Sequence, residues 1–521
     1  MIFRPAESSK RIVDFYRKYL LTTFKTNKDI YNKQLAEQLS EDGVISKGPY
    51  ISMSDSFAKD NSIRELIEKG LLSKELLKIS GLHLDRKLYK HQVEAILKAN
   101  SGHNLIITTG TGSGKTECFL LPIINKLMLE KENGTLDPGV RTLIIYPMNA
   151  LVNDQIRRLR EIFAEYEDLD ITFGKYTGET EEKYIKARSL FLEGEGVEPK
   201  KNELISREQM RNNPPHILIT NYAMLEYLLL RPDDNVFFSK DKSSKWNSIV
   251  LDEAHTYNGA KGIEVSSLIK RLKAMLGRDN IQFFLTSATL GDKNLNSKIV
   301  NFAHMLCDGR FDYTSIVRSY TIAPEKPETT AKLDFSIYRD LADRFRNNIS
   351  PDKMINWLES KGINIIESGN AEKTLEKTLF HMILHDDFYY EVRSQLLNKT
   401  KPLNQLATDL GLTVDDITDF IVVVSNAQID GDKIFEARYH MFIRGIEGIY
   451  VTLNPSNKLF VKKMETYIEH PKSNDCGFRV FQITFCHNCN STFIIGQTDN
   501  GYLVQKSKYN DEYTPEVYLI N

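Results

Sequence analysis

The run Thr108-Thr109-Gly110-Thr111-Gly112-Ser113-Gly114-Lys115-Thr116 gathers glycines, a lysine and hydroxyls, the groups that hold a polyphosphate. Glycines let backbone N–H groups turn inward, a helix opening at Lys115 adds partial positive charge, and the lysine reaches the β- and γ-phosphates. The Thr116 hydroxyl is placed to ligate magnesium. The strict form of such a loop begins with glycine. Here Thr109 stands first, and Gly110, Gly112 and Gly114 remain. Far downstream, Ile249-Val250-Leu251-Asp252-Glu253-Ala254-His255 sets an acidic pair at the end of an apolar run. Asp252 can hold the magnesium, and Glu253 can orient and deprotonate an attacking water. His255 follows directly, and Ser287-Ala288-Thr289 closes another apolar run; together they read as coupling residues. Tyr89 and Gln92 precede the loop, and Gln92 offers the donor and acceptor that an adenine edge needs. ATP and magnesium are the ligands these residues imply.

These groups need a scaffold that brings strand ends together. From Leu88 to Phe311, short apolar runs alternate with amphipathic helices; the candidate strands are Leu105–Thr108, Leu143–Tyr146, Ile171–Tyr176, Ile217–Thr220, Ile249–Leu251 and Phe283–Thr286. That pattern predicts an α/β fold, a parallel sheet with helices on both faces. Ligands of such sheets sit at the carboxyl ends of the strands, where Asp252 falls. Residues 1–80 read as helical, with Ile12, Phe15, Tyr16 and Tyr19 at helical spacing and a turn-rich piece at Lys47-Gly48-Pro49-Tyr50. Residues 81–312 form the α/β lobe, 313–388 a helical connector broken at Ser350-Pro351, and 451–521 a β-rich part of a mixed α+β C-terminal region. Within 389–450, Leu403, Leu406, Leu410, Gly411, Ile417 and Ile421 have the rhythm of a helix-turn-helix or winged helix, or of a helical hairpin that only packs. Asp409, Asp415, Asp416 and Asp419 crowd its second helix and argue against contact with DNA there.

A formal net charge of −2 excludes a globally basic coat but leaves room for a local basic groove. The five cysteines are an odd, sparse set that fits a reducing compartment rather than a disulfide framework. The N-terminus lacks the apolar core of a signal peptide, and no apolar run approaches a membrane span, so a cytoplasmic protein without membrane contact is expected.

Gln92 in Leu88-Tyr89-Lys90-His91-Gln92, the Lys115 loop, Tyr146-Pro147-Met148-Asn149-Ala150-Leu151, Thr177-Gly178, Thr220-Asn221-Tyr222, Asp252-Glu253-Ala254-His255 and Ser287-Ala288-Thr289 resemble, in the same order, the Q motif and motifs I to III in the first RecA-like lobe of superfamily 2 DEAD/DEAH-box helicases. The stretches Pro214–Tyr227 and Asp252–Gly259 are similar to MrfA-type DNA repair helicases with a cysteine-bearing region, and to the large helicases of phage-defence islands such as DISARM and Druantia. The resemblance implies ATP-driven movement on DNA or RNA, with DNA favoured, in repair or antiviral defence. It places Pro147, Asn149, Thr177, Gly178 and Thr220 along the sugar-phosphate backbone, where hydroxyls and loop amides bind without reading sequence. Arg157, Arg158 and Arg160 follow on a helix and read equally as a solvated basic face.

A helicase of this family needs a second RecA-like lobe, which supplies an arginine worth roughly 10³–10⁵ in rate. Residues 313–521 contain no Gln-x-x-Gly-Arg-x-x-Arg-like stretch; Arg444-Gly445 lacks the context. The second lobe is therefore expected from a partner chain or from a missing C-terminal part. The alternative is an assembly subunit that binds ATP and nucleic acid without efficient hydrolysis of its own. Cys486-His487-Asn488-Cys489 has metal-ligand spacing, with Cys476 as a third candidate and His487 and His440 as poorer ones. The residues leave open a structural zinc or a pair of reduced cysteines in a turn.

Overall fold

In the computed structural model the described residues are 5–110, 112–288, 293–453, 458–463, 466–467, 477–486, 489, 491–499, 501–505 and 516–519. The chain divides into two compact units, one of residues 57–322 and one formed by residues 1–56 together with 323–521.

The first unit is built on an eight-stranded sheet. Its strands are β1 (Leu105–Thr108), β2 (Thr142–Tyr146), β3 (Phe173–Lys175), β4 (Glu203–Leu204), β5 (Ile217–Asn221), β6 (Ser248–Leu251), β7 (Gln282–Ser287) and β8 (Ile316–Arg318). They lie in the order β8-β1-β7-β6-β2-β5-β3-β4, every pairing parallel. Successive side chains of a strand point to opposite faces, so a sheet covered on both sides must be apolar throughout. Leu105, Ile107, Ile144, Ile219, Val250 and Phe284 enter one apolar core with helices α1 (Lys90–Asn100), α2 (Lys115–Glu132) and α3 (Asn149–Ile162). Their neighbours Ile106, Leu143, Ile145, Leu218, Ile249, Leu251 and Leu285 enter the other, beneath the helices Tyr222–Leu230, Gly259–Leu276 and Asn296–Cys307. The expected doubly covered parallel sheet is present. Its short strands β4 and β8, of two and three residues, carry too little apolar sequence to stand out in the pattern.

In the second unit the helices Pro5–Thr23 and Asp29–Gln38 bury Leu20, Tyr31 and Leu35 against Ile449, Val451 and Ile483. The latter three belong to antiparallel strands Ile449–Thr452 and Phe478–Phe485, and Thr492–Asp499 continues that sheet. Ser46–Ser54, read from its Gly-Pro as turn-rich, is a strand that pairs antiparallel with Thr400–Pro402 and Glu436–Ile443. The helices Leu403–Asp409 and Val414–Ser425, with Gly411 at φ +69° between them, have the helix-turn-helix rhythm of the sequence. The second helix is buried from Asp416 to Val424 among Tyr338, Phe388 and Leu406, and Asp416 and Asp419 pair with Arg339 and Arg346. Its burial fits the reading of a helical hairpin that packs.

Candidate nucleotide-binding site

The loop after β1 leads into α2 with Gly114 as its N-cap at φ +69°, a left-handed conformation that only glycine adopts without strain. A Cβ on Gly114 would lie 2.3 Å from Gln92 Nε2 and 2.9 Å from Glu117 Oε2. The loop is held from inside and from behind. Ser113 is buried, and its hydroxyl donates to the Gly110 carbonyl at 2.7 Å and lies 2.6 Å from Thr109 Oγ1. His91 Nε2 meets the Ser113 carbonyl at 2.9 Å, and Gln92 Nε2 donates to the Gly114 carbonyl at 3.0 Å. Gln92 Oε1 accepts the Tyr89 N–H at 2.8 Å, so the buried Gln92 amide links the start of α1 to the loop. Thr111 lies outside the described residues. Lys115 and Thr116 open α2 half-buried at the carboxyl edge of the sheet.

The acidic pair leaves β6 at the same edge. Lys115 Nζ donates to Glu253 Oε1 at 3.2 Å, bringing together residues 138 apart in the chain. Between β1 and β6 runs β7, and its buried Thr286 serves both acids: its hydroxyl donates to Asp252 Oδ1 and accepts the Glu253 N–H at 3.2 Å. Glu253 sits at φ +47°, ψ +48°, a left-handed conformation unusual for a residue with a side chain. Burial raises the Asp252 carboxyl above its usual range, and the neighbouring Glu253 adds to this, against the Thr286 hydrogen bond and Lys115. Glu253 Oε2 is buried without a hydrogen bond, 3.3 Å from His255 Nδ1. His255 Nδ1 also meets Ser287 Oγ at 3.1 Å, so the two expected coupling residues are in contact; Thr289 lies outside the described residues. Two carboxyl groups beside one lysine leave negative charge uncompensated, which fits a divalent cation held by Asp252 and the Thr116 hydroxyl.

The residues expected along a nucleic-acid backbone separate into two sets. Thr220 and Thr177 are buried: the Thr220 hydroxyl donates to the Tyr176 carbonyl at 2.6 Å, and Thr177 Oγ1 accepts the Glu179 N–H at 3.3 Å. In this arrangement their hydroxyls hold the ends of β3 and β5 instead of facing solvent. Pro147 and Asn149 are half-buried and Gly178 is exposed. Asn149 Oδ1 accepts from Asn221 Nδ2 at 2.7 Å, and Asn149 Nδ2 donates to Glu179 at 3.0 Å. Asn221, not singled out in the sequence, also caps the helix Tyr222–Leu230 by accepting the Met224 N–H at 2.7 Å; an Asn before an apolar run is the signal for such a cap. The basic face of α3 is largely spent on ion pairs, Arg158 with Glu117 and Arg160 with Glu203 and Glu195. Thr286, His91 and Glu117 carried no sequence signal, because their roles depend on neighbours far along the chain.

Cys486 and Cys489 are free thiols at the end of strand Phe478–Phe485. The Cys486 N–H donates to the Ser491 carbonyl at 3.0 Å, and Cys489 Sγ lies 3.1 Å from Ser491 Oγ. Hydrogen bonds from Ser491 and from Cys486 lower the Cys489 thiol. Cys476 and His487 lie outside the described residues, and among the described residues no cluster of three His, Cys, Asp or Glu could hold a metal.

A phosphate loop on β1, an acidic pair on β6 and a hydroxyl strand between them meet at the carboxyl edge of one RecA-like parallel sheet. Residues 89–297 match the DEAD/DEAH box helicase family, and residues 466–518 match the YjiV N-terminal domain. The chain is similar to Druantia protein DruE of Escherichia coli (strain UMEA 4076-1), at 26% identity over 86% of this chain and 30% of that protein. It is also similar to the ATP-dependent helicase YprA of Bacillus subtilis (strain 168), at 31% identity over 43% of this chain and 26% of that protein. The chain thus spans less than a third of either relative. A crystal structure of the DUF1998 helicase MrfA bound to DNA aligns at 20% identity with a TM-score of 0.38, over 68% of this chain and 43% of that one. No helix among the described residues is long and apolar enough to cross a membrane.

Proposed function

We propose that residues 57–322 form the first motor lobe of an ATP-dependent DNA helicase or translocase acting in the cytoplasm, in DNA repair or phage defence. The 3.2 Å approach of Lys115 Nζ to Glu253 Oε1 carries this reading, since it sets the phosphate-binding lysine and the general base at one point of the sheet edge. Loop amides and Lys115 bind the β- and γ-phosphates of ATP. Thr116 and Asp252 hold magnesium, which supplies charge neutralisation on the phosphate oxygens. Glu253 orients the attacking water and takes its proton; on losing Lys115 to the phosphates, its carboxylate is released for that task. His255 and Ser287 tie the base to the end of β7, a contact suited to passing on whether the γ-phosphate is present. Efficient turnover requires a second RecA-like lobe supplying an arginine. Half-buried Pro147 and Asn149 and exposed Gly178 provide the accessible part of a backbone-binding edge.

Titration with a fluorescent ATP analogue in magnesium tests this reading. Lys115→Ala is expected to weaken binding at least about tenfold, because it removes a charge-assisted contact. Equal binding by the variant refutes it. Tight binding with background turnover even beside a second lobe selects the assembly-subunit alternative.

A further inference from the structure

His91 is fully buried at the start of α1, one residue before Gln92, and the proposed nucleotide chemistry assigns its ring no role. Its Nε2 lies 2.9 Å from the Ser113 carbonyl, and its Nδ1 is buried without a partner. The ring stacks on Tyr89 at 5.6 Å and meets the Phe57 ring edge-on at 5.7 Å, so it cannot swing away without breaking an aromatic cluster. A carbonyl accepts and cannot donate, so the ring carries its proton on Nε2 and leaves Nδ1 as a bare lone pair. Burial also pushes the imidazole below its ordinary value, which favours this neutral form.

The consequence lies in the peptide plane. In a trans peptide the C=O and the following N–H point in opposite directions. Holding the Ser113 carbonyl toward α1 therefore turns the Gly114 N–H to the other side of the loop. Gln92 does the same one peptide later: its bond to the Gly114 carbonyl turns the Lys115 N–H inward. Consecutive side chains of α1 thus fix consecutive peptides at the mouth of α2, where backbone amides meet a phosphate.

We propose that His91 is a positioning residue for triphosphate binding, which acts through the Ser113 carbonyl to aim the Gly114 amide at the phosphate of the nucleotide. The inference rests on the nucleotide reading above. It assigns His91 to the phosphate end of the ligand and not to the base.

The test compares wild type with His91→Phe, which keeps the ring and loses the donor, His91→Asn, whose amide is too short to reach Ser113, and His91→Gln, whose Nε2 reaches as far as that of histidine. Affinities for ATP, GTP and inorganic tripolyphosphate, each with magnesium, are measured by calorimetry. Loss of one orienting hydrogen bond is expected to weaken ATP and tripolyphosphate alike by about tenfold in the Phe and Asn variants. The ratio of ATP to GTP affinity stays at the wild-type value, and His91→Gln recovers most of the loss. Wild-type tripolyphosphate affinity in a folded Phe or Asn variant overturns the proposal, as does a loss confined to ATP with a changed ATP-to-GTP ratio. Equal loss in all three variants, including His91→Gln, assigns His91 to packing alone and overturns it too. If wild type binds neither ATP nor tripolyphosphate, the nucleotide reading itself fails and takes the proposal with it.

Discussion

Thr286→Val removes one hydroxyl and replaces it with a methyl of nearly the same volume. The residue is fully buried on β7, so the change leaves no cavity and its effect comes from two hydrogen bonds. One runs to the Asp252 carboxyl, the other accepts the Glu253 N–H at 3.2 Å. A bond to a charged acceptor is worth about 1.5–3 kcal/mol and a neutral one about 0.5–1.5 kcal/mol, so the variant should be about 2–4.5 kcal/mol less stable. Asp252 is easier to protonate than an ordinary carboxyl, which places the loss toward the lower end. A second effect is local. Glu253 is held at φ +47°, a conformation that costs of order 1 kcal/mol and persists only while its neighbours impose it. Without the Thr286 hydroxyl, Glu253 relaxes and Asp252, the proposed magnesium ligand, loses the bond that fixes its carboxyl. Urea unfolding measures the first effect, and calorimetric titration with MgATP measures the second as a loss of about tenfold or more. Thr286→Ser keeps the hydroxyl and is the control. A Val variant within about 0.5 kcal/mol of wild type that still binds MgATP normally shows that Thr286 organises neither acid.

Three further perturbations follow from the same geometry. Because the Asp252 carboxyl is raised, its stabilising contribution is fully present below its unfolded pKa and lost as pH rises through the higher folded value. Asp252→Asn should therefore melt on the order of 2 °C higher than wild type at pH 7.5 in chelator, an advantage that shrinks on acidification, while MgATP no longer raises its melting temperature. Gly114→Ala forces a Cβ to within 2.3 Å of Gln92 Nε2 at a positive φ, and should cost about 1–2 kcal/mol in unfolding experiments and abolish ATP binding. Glu117, in the first turn of α2, accepts from Arg158 of α3, the helix that begins at Asn149. Glu117→Gln should leave ATP affinity without DNA close to wild type and reduce its response to single-stranded DNA on the order of fivefold, read by titrating ATP with and without oligonucleotide.

Much of the lobe was legible because its physics is local. The run Leu105–Thr108 is apolar and bounded by turn residues, and it is a strand over the same four positions. The loop glycines announce a phosphate site because few other residues fit positive φ at Gly112 and Gly114. What stayed hidden depends on distant partners. Ser46–Ser54 holds a Gly-Pro that marks a turn, yet pairs with Glu436–Ile443, a strand nearly 400 residues on. Thr220 has a hydroxyl fit for a phosphate, but in the fold it is consumed by Tyr176. Gln92 has an amide fit for adenine, and the fold also gives each of its ends a partner within the protein, Tyr89 and Gly114. Side-chain chemistry is written in the sequence; which partner satisfies it is set by the fold.

ATP turnover by this chain together with a second RecA-like lobe, with and without single-stranded DNA, tests the central claim most directly. The account predicts DNA-stimulated turnover in wild type that falls by at least about a hundredfold in Glu253→Gln while ATP still binds, since the base and not the phosphate grip is removed. Turnover that is indifferent to Glu253, or that DNA leaves unchanged, would contradict it.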